Sequence, residues 1–385
     1  MEEILVNGPV NVLRLEGYIF GIHKIIYIFM DIHSHVTTQT QCQSFDSMDF
    51  SQYIVKMLKI SNKNKIFDIF TEISITEVGS PDHPFRGRYI DEVNRYVKRE
   101  YNAGKKINSN LRVHYIDIRD FLKRDINNLI HDIHNTIRTL CYGYLSRHDF
   151  NALVSYFNSL KQNITTVNNY ISGIDNPAKM DQNKDKVINK FINKILYKYK
   201  HQEIKLHLSE LFKNISESFA SILSLIDESI NLLEKSSEFI LKSPDKLFLL
   251  DYEDIEIFTY GKDNFKFIKF RSDLELLIDQ IDILSMFNFS LIVDSFFLRR
   301  FLDKDYITNA IVYTGAAHST VYIYFLVKYF NFTITNVSYS KINDLNELNQ
   351  TIKQQTNSFN DISEILLPGL LTQCINMTSF PTAFE

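Results

Sequence analysis

The sequence predicts an α/β protein: a mainly parallel sheet flanked by helices and interrupted by a large helical insert. Three observations carry this. Short apolar runs between Val10 and Arg119 are rich in β-branched and aromatic residues, and a helix-compatible stretch parts two of them. From about Phe121 to Lys242 no convincing strand remains, glycine and proline almost vanish, and apolar residues recur at three- and four-residue steps. After Asp251 strand-like runs return.

In chain order, strands are expected at Val10 to Leu15, Lys24 to Met30, Lys65 to Ile75 and Arg112 to Ile118, with a helix from Tyr89 to Lys105 between the last two. In the insert, Ile215, Phe219, Ile222, Ile226, Ile230 and Leu233 form one apolar stripe, and the polar segment Ile174 to Val187 reads as an exposed connection. Phe289 to Val293, Asn309 to Tyr313 and Thr333 to Ser338 are the later strand candidates. The tail from Lys341 holds one helix candidate, and its last residues, SFPTAFE, are expected to dock on the surface or fray. The organisation so drawn is 1–120 and 246–340 as two halves of the core, 121–245 as the insert, and 341–385 as a C-terminal extension.

With 385 residues, 45% of them hydrophobic, the chain is long enough to bury a sizeable core. A net charge of -4 gives no basic field for nucleic acid or an anionic membrane. The cysteines Cys42, Cys141 and Cys374 are widely spaced and odd in number, which fits neither a disulfide framework nor a cysteine zinc module and argues for a reducing compartment. The start MEEILVNGP lacks the basic-then-apolar pattern of a signal peptide, and the run Tyr18 to Met30 is too short to span a bilayer. A cytoplasmic location is therefore expected. The crowding of Asn, Ile and Lys suggests an AT-rich genome, such as that of a large DNA virus or a protist.

The apolar run YIFMDIHSH stops at an acid and two histidines on alternating positions, so Asp31, His33 and His35 would project to one side of a strand end. Catalytic groups of open α/β sheets gather at such carboxyl ends. Glu72, in KIFDIFTEIS, places a carboxylate deep in an apolar strand, where an unpaired charge is costly and a metal ion, histidine or arginine must answer it. In IVYTGAAHSTVYIYF, residues Gly315 to Ala317 allow a tight turn before a helix expected to begin near Ser319 or Thr320; His318 would sit beside its N-terminus, a place suited to an anion or a lowered imidazole pKa. The loop EVGSPDHPFRGRYID carries His83, Arg86 and Arg88, with the two arginines as candidates to clamp an anionic substrate group. Asp117 and Arg119, in VHYIDIRD, stand two apart at another strand end and are read, with His35, as supports behind the ligating groups.

Two resemblances follow. DIHSH resembles the Asp-x-His-x-His opening of amidohydrolase and polymerase-histidinol-phosphatase-like barrels, which implies metal ligation by His33 and His35 together. The broader resemblance is to the superfamily joining erythromycin-esterase-like, ChaN-like and TraB/Tiki proteins. Its strand-end blocks match Met30 to His33, Glu72, Asp117 and Gly315 to His318 in order, and VDSFFLRRFL resembles the helix that precedes its last motif. Met30 stands where that pattern has glycine, and Asp31 where it has a longer glutamate.

The second resemblance implies hydrolysis of an ester or amide in a small-molecule or peptide substrate, in one of two forms. Asp31, His33, Glu72 and His318 would hold a divalent ion such as Zn, Mn or Fe. Alternatively, an imidazole oriented by a carboxylate activates water directly. The reading from another class is an inactive structural or interaction protein, of a virion or binding a host, whose helical insert meets a protein partner.

Overall fold

The structure is a computed structural model; it describes residues 3–38, 41–62, 64–74, 87–102, 110–119, 124–139, 147–172, 194–240 and 262–384. The strands are β1 (Leu5–Asn7), β2 (Asn11–Ile19), β3 (Ile22–Asp31), β4 (Met48–Asp49), β5 (Phe67–Ser74), β6 (Leu111–Asp117), β7 (Asn309–Gly315), β8 (Thr333–Val337) and β9 (Cys374–Asn376). The helices are α1 (Phe50–Ile60), α2 (Tyr89–Asn102), α3 (Arg124–Thr139), α4 (Arg147–Ile171), α5 (Gln202–His207), α6 (Ser209–Ile240), α7 (Lys262–Asp303), α8 (Ala316–Phe330), α9 (Leu345–Gln354) and α10 (Phe359–Leu366). The chain divides into one unit of 1–118, 198–208 and 293–385, and a second of 119–197 and 209–292.

The first unit is built on a six-stranded sheet in the order β6-β5-β7-β3-β2-β8. Neighbours from β6 to β3 run parallel, while β2 is antiparallel to both β3 and β8. This is the α/β sheet that the apolar runs predict. In β3 and β7 nearly every residue is buried, because helices cover both faces of a parallel sheet. The β2–β3 hairpin turns on Phe20 and Gly21, both at positive φ (49° and 80°), which matches the right-handed twist of the strands it joins. The sheet is open, with edges at β6 and β8, and does not close into the barrel that the DIHSH resemblance implies.

On one face, α1 and α2 pack over Tyr27 and Phe29 of β3, Phe67 and Ile69 of β5, and Ile311 and Tyr313 of β7. The same cluster takes in Phe380 and Phe384, so the tail expected to dock on the surface or fray is core instead. Its aromatics are what the surface reading undervalued, since burying a phenylalanine is worth roughly 2–3 kcal/mol. On the other face, Phe70 meets Phe297 edge-on at 5.0 Å, and Phe297 meets Tyr322 of α8 at 4.2 Å. Thus the chain leaves β3 toward a helix on one face and leaves its parallel neighbour β7 into a helix on the opposite face. Such a divergence opens a crevice at the carboxyl ends of the two strands.

Four expectations are corrected here. Phe289 to Val293 is not a strand; it lies in α7, whose apolar run has no turn signal to separate a buried strand from a buried helix. Helix α8 begins at Ala316, earlier than expected, and the tail holds two helices rather than one. Cys42 and Cys374, whose spacing and odd number fitted no disulfide framework, form a disulfide with Cα atoms 4.9 Å apart. Sequence separation hid that pair: β1 joins β4 and β9 in a small sheet and brings the two cysteines together across 332 residues.

In the second unit, α3, α4, α6 and the first part of α7 form the helical layer. The stripe on α6 is buried at Ile215, Phe219, Ile222, Ile226 and Leu233, and Phe219 meets Phe289 of α7 edge-on at 5.9 Å. Among the described residues one helix, Ile268–Asp303, is long and apolar enough to cross a membrane by length and composition alone, and half of its apolar window is buried inside the protein. The segment Ile174 to Val187 lies outside the described residues.

Candidate active site

Four of the residues singled out in the sequence meet at the crevice. Asp31 ends β3, in register with Gly315 at the end of β7, and Glu72 is near the end of β5 on the other side of β7. The next residue but one after Asp31, His33, adopts a left-handed conformation (φ 55°). This costs about 1 kcal/mol or more for a non-glycine residue. Asp31 offsets it by accepting with Oδ2 from both the backbone N–H (2.8 Å) and the ring Nδ1 (2.6 Å) of His33. Tyr313 donates to the other carboxylate oxygen of Asp31 at 3.2 Å.

Glu72 ties the strands together. Its Oε2 accepts the Gly315 N–H at 3.0 Å and faces His33 Nε2 at 3.1 Å, while its Oε1 lies 2.7 Å from His318 Nε2. Gly315 eases this approach, because a Cβ there would stand 3.0 Å from His33 Nε2 and the ring would have to shift by a few tenths of an ångström. His318, in the first turn of α8, turns its Nδ1 to Asp294 Oδ1 at 2.6 Å. The result is an unbroken chain of alternating groups, Asp31–His33–Glu72–His318–Asp294.

Asp294 is the member that sequence reasoning missed. Its signal was present: an acid inside the apolar run SLIVDSFF must find a partner, as Glu72 must. Reading that run as part strand drew attention away from it.

The geometry favours protonated imidazoles. Both nitrogens of His33, and both of His318, face carboxylate oxygens, which only accept; a neutral ring would set a lone pair against one of them. Burial opposes the charge on His33, but hydrogen bonds to Asp31 and Glu72 prevail and raise its pKa to about 9. At His318 burial is likewise outweighed, by the charges of Asp294 and Glu72, and the pKa rises to about 10. The lowered imidazole pKa expected beside the helix N-terminus is therefore reversed. Burial pushes the Glu72 carboxyl up, yet His318 and His33 hold it well below the usual range, whereas burial leaves Asp294 raised. Within the chain only His33 is substantially exposed, its side chain at 37% against 6% for His318 and 4% for Glu72. An approaching molecule meets His33 first.

The remaining predicted positions are distributed around this chain. Arg88 grips Asp91 through Nε and Nη2 at 3.2 and 2.9 Å, and its backbone bridges to His35. His35 does not join His33 in a shared ligand set; it is exposed, with Nδ1 on the Thr37 hydroxyl and its ring against Gly87. Asp117 ends the edge strand β6, paired in register with Ser74, and Arg119 follows that strand. His83 and Arg86 lie outside the described residues. No three His, Cys, Asp or Glu side chains among the described residues converge in the way a metal ion requires.

The fold and this chain of acids and imidazoles define a mainly parallel α/β protein with an acid–base cluster at its strand ends. By sequence it belongs to DUF5847, a family of unknown function, whose profile matches residues 4–385. Three relatives come from Acanthamoeba polyphaga mimivirus. "Uncharacterized protein R706" is 34% identical over 99% of this chain and 97% of its own length. "Uncharacterized protein R161" is 32% identical (99% and 98%) and "Uncharacterized protein R160" 31% identical (98% and 97%). No solved structure matches the chain. A viral source agrees with the composition.

Proposed function

We propose that the protein is a hydrolase of ester or amide bonds in which His33 is the catalytic acid–base group. The observation that carries this is the position of His33, the one exposed member of an otherwise buried chain of alternating carboxylates and imidazoles at the carboxyl ends of β3, β5 and β7. The order of its strand-end motifs, which resembles that of the erythromycin-esterase, ChaN and TraB/Tiki superfamily, is the ground for an acyl bond rather than another.

In this reading His33 first loses the Nε2 proton to solvent, while Asp31 keeps the proton on Nδ1 and holds the ring in place. Nε2 then takes a proton from water as the water oxygen bonds to the substrate carbonyl carbon. The same proton passes to the departing alkoxide or amine when the acyl bond breaks. Glu72, held ionised by His318, stabilises the imidazolium formed between these steps. Asp294 orients His318 and acts at one remove.

The metal-dependent form would use Asp31, His33, Glu72 and His318 as ligands for Zn, Mn or Fe. Since both imidazoles are spent on carboxylates, that form requires each to release a proton and a partner, and the direct form requires only His33 to do so.

Purified protein is assayed with 4-nitrophenyl esters and anilides, beside His33→Gln and Glu72→Gln, with metal content measured by elemental mass spectrometry. Turnover that falls about a hundredfold or more in both folded variants is the expected result. Equal rates in wild type and variants would overturn the proposal in favour of a structural role for the fold, with the virion or host cytoplasm as its setting. Stoichiometric metal lost with His33 or His318 would replace the direct form by the metal one.

A further inference from the structure

Helices α1 and α2 cover one face of the sheet, and their outer sides are as patterned as their buried ones. The buried positions of α1 are Phe50, Tyr53, Ile54, Met57 and Leu58. On its other side four-residue steps align Val55 with Lys59 and Lys56 with Ile60, while on α2 Tyr96 and Arg99 share a face at a three-residue step. All of these outer residues line one groove of about 530 Å³ between the two helices. A concave space of that size suits a small molecule.

The walls carry positive charge that no described acid answers. Among the described residues the side chains of Lys56, Lys59 and Arg99 make no hydrogen bond or ion pair. No acid stands between residues 50 and 60 or between 93 and 99, and Glu92, one turn before Tyr96, already has Arg95 as its counter-charge. Lys98 of α2 adds to the excess: it is only 5% exposed, and its ammonium has no hydrogen-bond partner among the described residues. A chain whose net charge is -4 thus concentrates unpaired cations on one pair of helices. Unopposed cations gather anions. Beside them the groove is apolar, with Val55 and Tyr96 in its lining and Ile60 left 57% exposed, so a bare inorganic ion would satisfy the charge and leave this surface wet.

We propose that the groove between α1 and α2 binds a single-chain anionic amphiphile of the fatty-acid kind, its carboxylate on Lys56, Lys59 and Arg99 and its alkyl chain along Val55, Tyr96 and Ile60. The groove shares no residue with the crevice, and the proposal does not rest on the hydrolase reading.

The experiment is a calorimetric titration of the full-length protein with octanoate at low ionic strength. Acetate, which has the head without the chain, and octanol, which has the chain without the charge, are the controls. Octanoate is expected to bind saturably and about tenfold or more tightly than either. In Lys56→Gln/Lys59→Gln/Arg99→Gln, whose three side chains are exposed and unpaired, the affinity should fall about tenfold with the Tm unchanged, and Ile60→Ser should weaken binding through the chain alone. No saturable binding, equal binding of octanol or acetate, or an unchanged affinity in either variant would overturn the proposal. Tighter association with phosphatidylglycerol vesicles than with octanoate, lost in the triple variant, would overturn it in favour of a membrane surface.

Discussion

Asp294 Oδ1 stands 2.6 Å from His318 Nδ1, and both residues are buried. This pair anchors the inner end of the chain that reaches His33 at the surface, and it joins the helix before β7 to the helix after it. Breaking a buried ion pair from one side typically costs about 3–5 kcal/mol, because the other charge is left unanswered. Asp294→Ala is therefore expected to lower the unfolding free energy by about that amount in a urea titration. Asp294→Asn, which keeps an acceptor, should cost less, and a smaller loss for alanine than for asparagine would contradict the role assigned to the pair.

The raised pKa of His33 gives hydrolysis a specific pH dependence. A base must be unprotonated, so kcat/KM should climb with pH and level off above about 9, the value set when Asp31 and Glu72 overcome burial. A profile that is flat or falling between pH 6 and 9 would remove His33 from the base role. In Glu72→Gln one of the two carboxylate partners is gone, and the rise should move to lower pH.

Stability should run the opposite way over part of the same range. His33 and His318 bind their protons more tightly folded than unfolded, with folded values of about 9 and 10 against about 6.5 for a free histidine. Their contribution is thus complete below about pH 6.5 and is lost as pH rises through 9 to 10. Glu72, depressed in the fold, contributes above the ordinary glutamate range and loses its share only in acid. Thermal melts from pH 6 to 10 should show a falling Tm in the wild type and a shallower fall in His33→Gln.

Much of the site is legible in the sequence because buried charge is conspicuous in an apolar run. Asp31, His33 and Glu72 stand at or just past strand ends and His318 in the helical turn that follows one, and register alone brings Asp31 beside Gly315. What could not be read was the partner geometry: two imidazoles sharing one glutamate, with Asp294 closing the chain. The run holding Asp294 is buried all round, and such a run has no period to distinguish helix from strand. The Cys42–Cys374 pairing and the burial of Phe384 fail for another reason, since both join the chain's end to its beginning and local pattern carries no information at that range.

Lys24 is fully buried in β3, and its ammonium donates to three carbonyls, Phe301 O (3.0 Å), Lys304 O (2.9 Å) and Ile307 O (2.6 Å). A side chain here acts in part as a capping residue: it satisfies Phe301 O in the last turn of α7, where the helix has no further N–H to offer, and ties down two carbonyls of the segment that follows. Burial lowers its pKa to about 8, against the opposing charge of Asp305. Lys24→Met keeps the length and the apolar stem but removes this donor from Phe301 O and Ile307 O, while Lys304 O keeps the Ile307 N–H at 3.1 Å. A loss of about 2–4 kcal/mol in denaturant unfolding is expected, and a variant as stable as the wild type would show that water replaces the ammonium.

Phe384 lies one residue from the end of the sequence, yet only 2% of it is exposed. Its ring meets Tyr27 edge-on at 5.0 Å and stands 6.0 Å from Tyr53, 6.3 Å from Phe67 and 6.4 Å from Phe29, so it touches β3, β5 and α1 together. The segment leading to it is held by backbone bonds, Met377 N–H to Ile4 O at 2.8 Å and Phe380 N–H to Met377 O at 3.1 Å. A ring inserted this way acts as a core residue despite its position, and its removal opens a cavity under the strands that carry Asp31 and Glu72. Phe384→Ala should cost about 3–5 kcal/mol, and Phe384→Leu, which refills much of the space, should recover part of it. Chemical denaturation of the two variants distinguishes this from a tail that merely rests on the surface, for which both substitutions would fall within about 0.5 kcal/mol of the wild type.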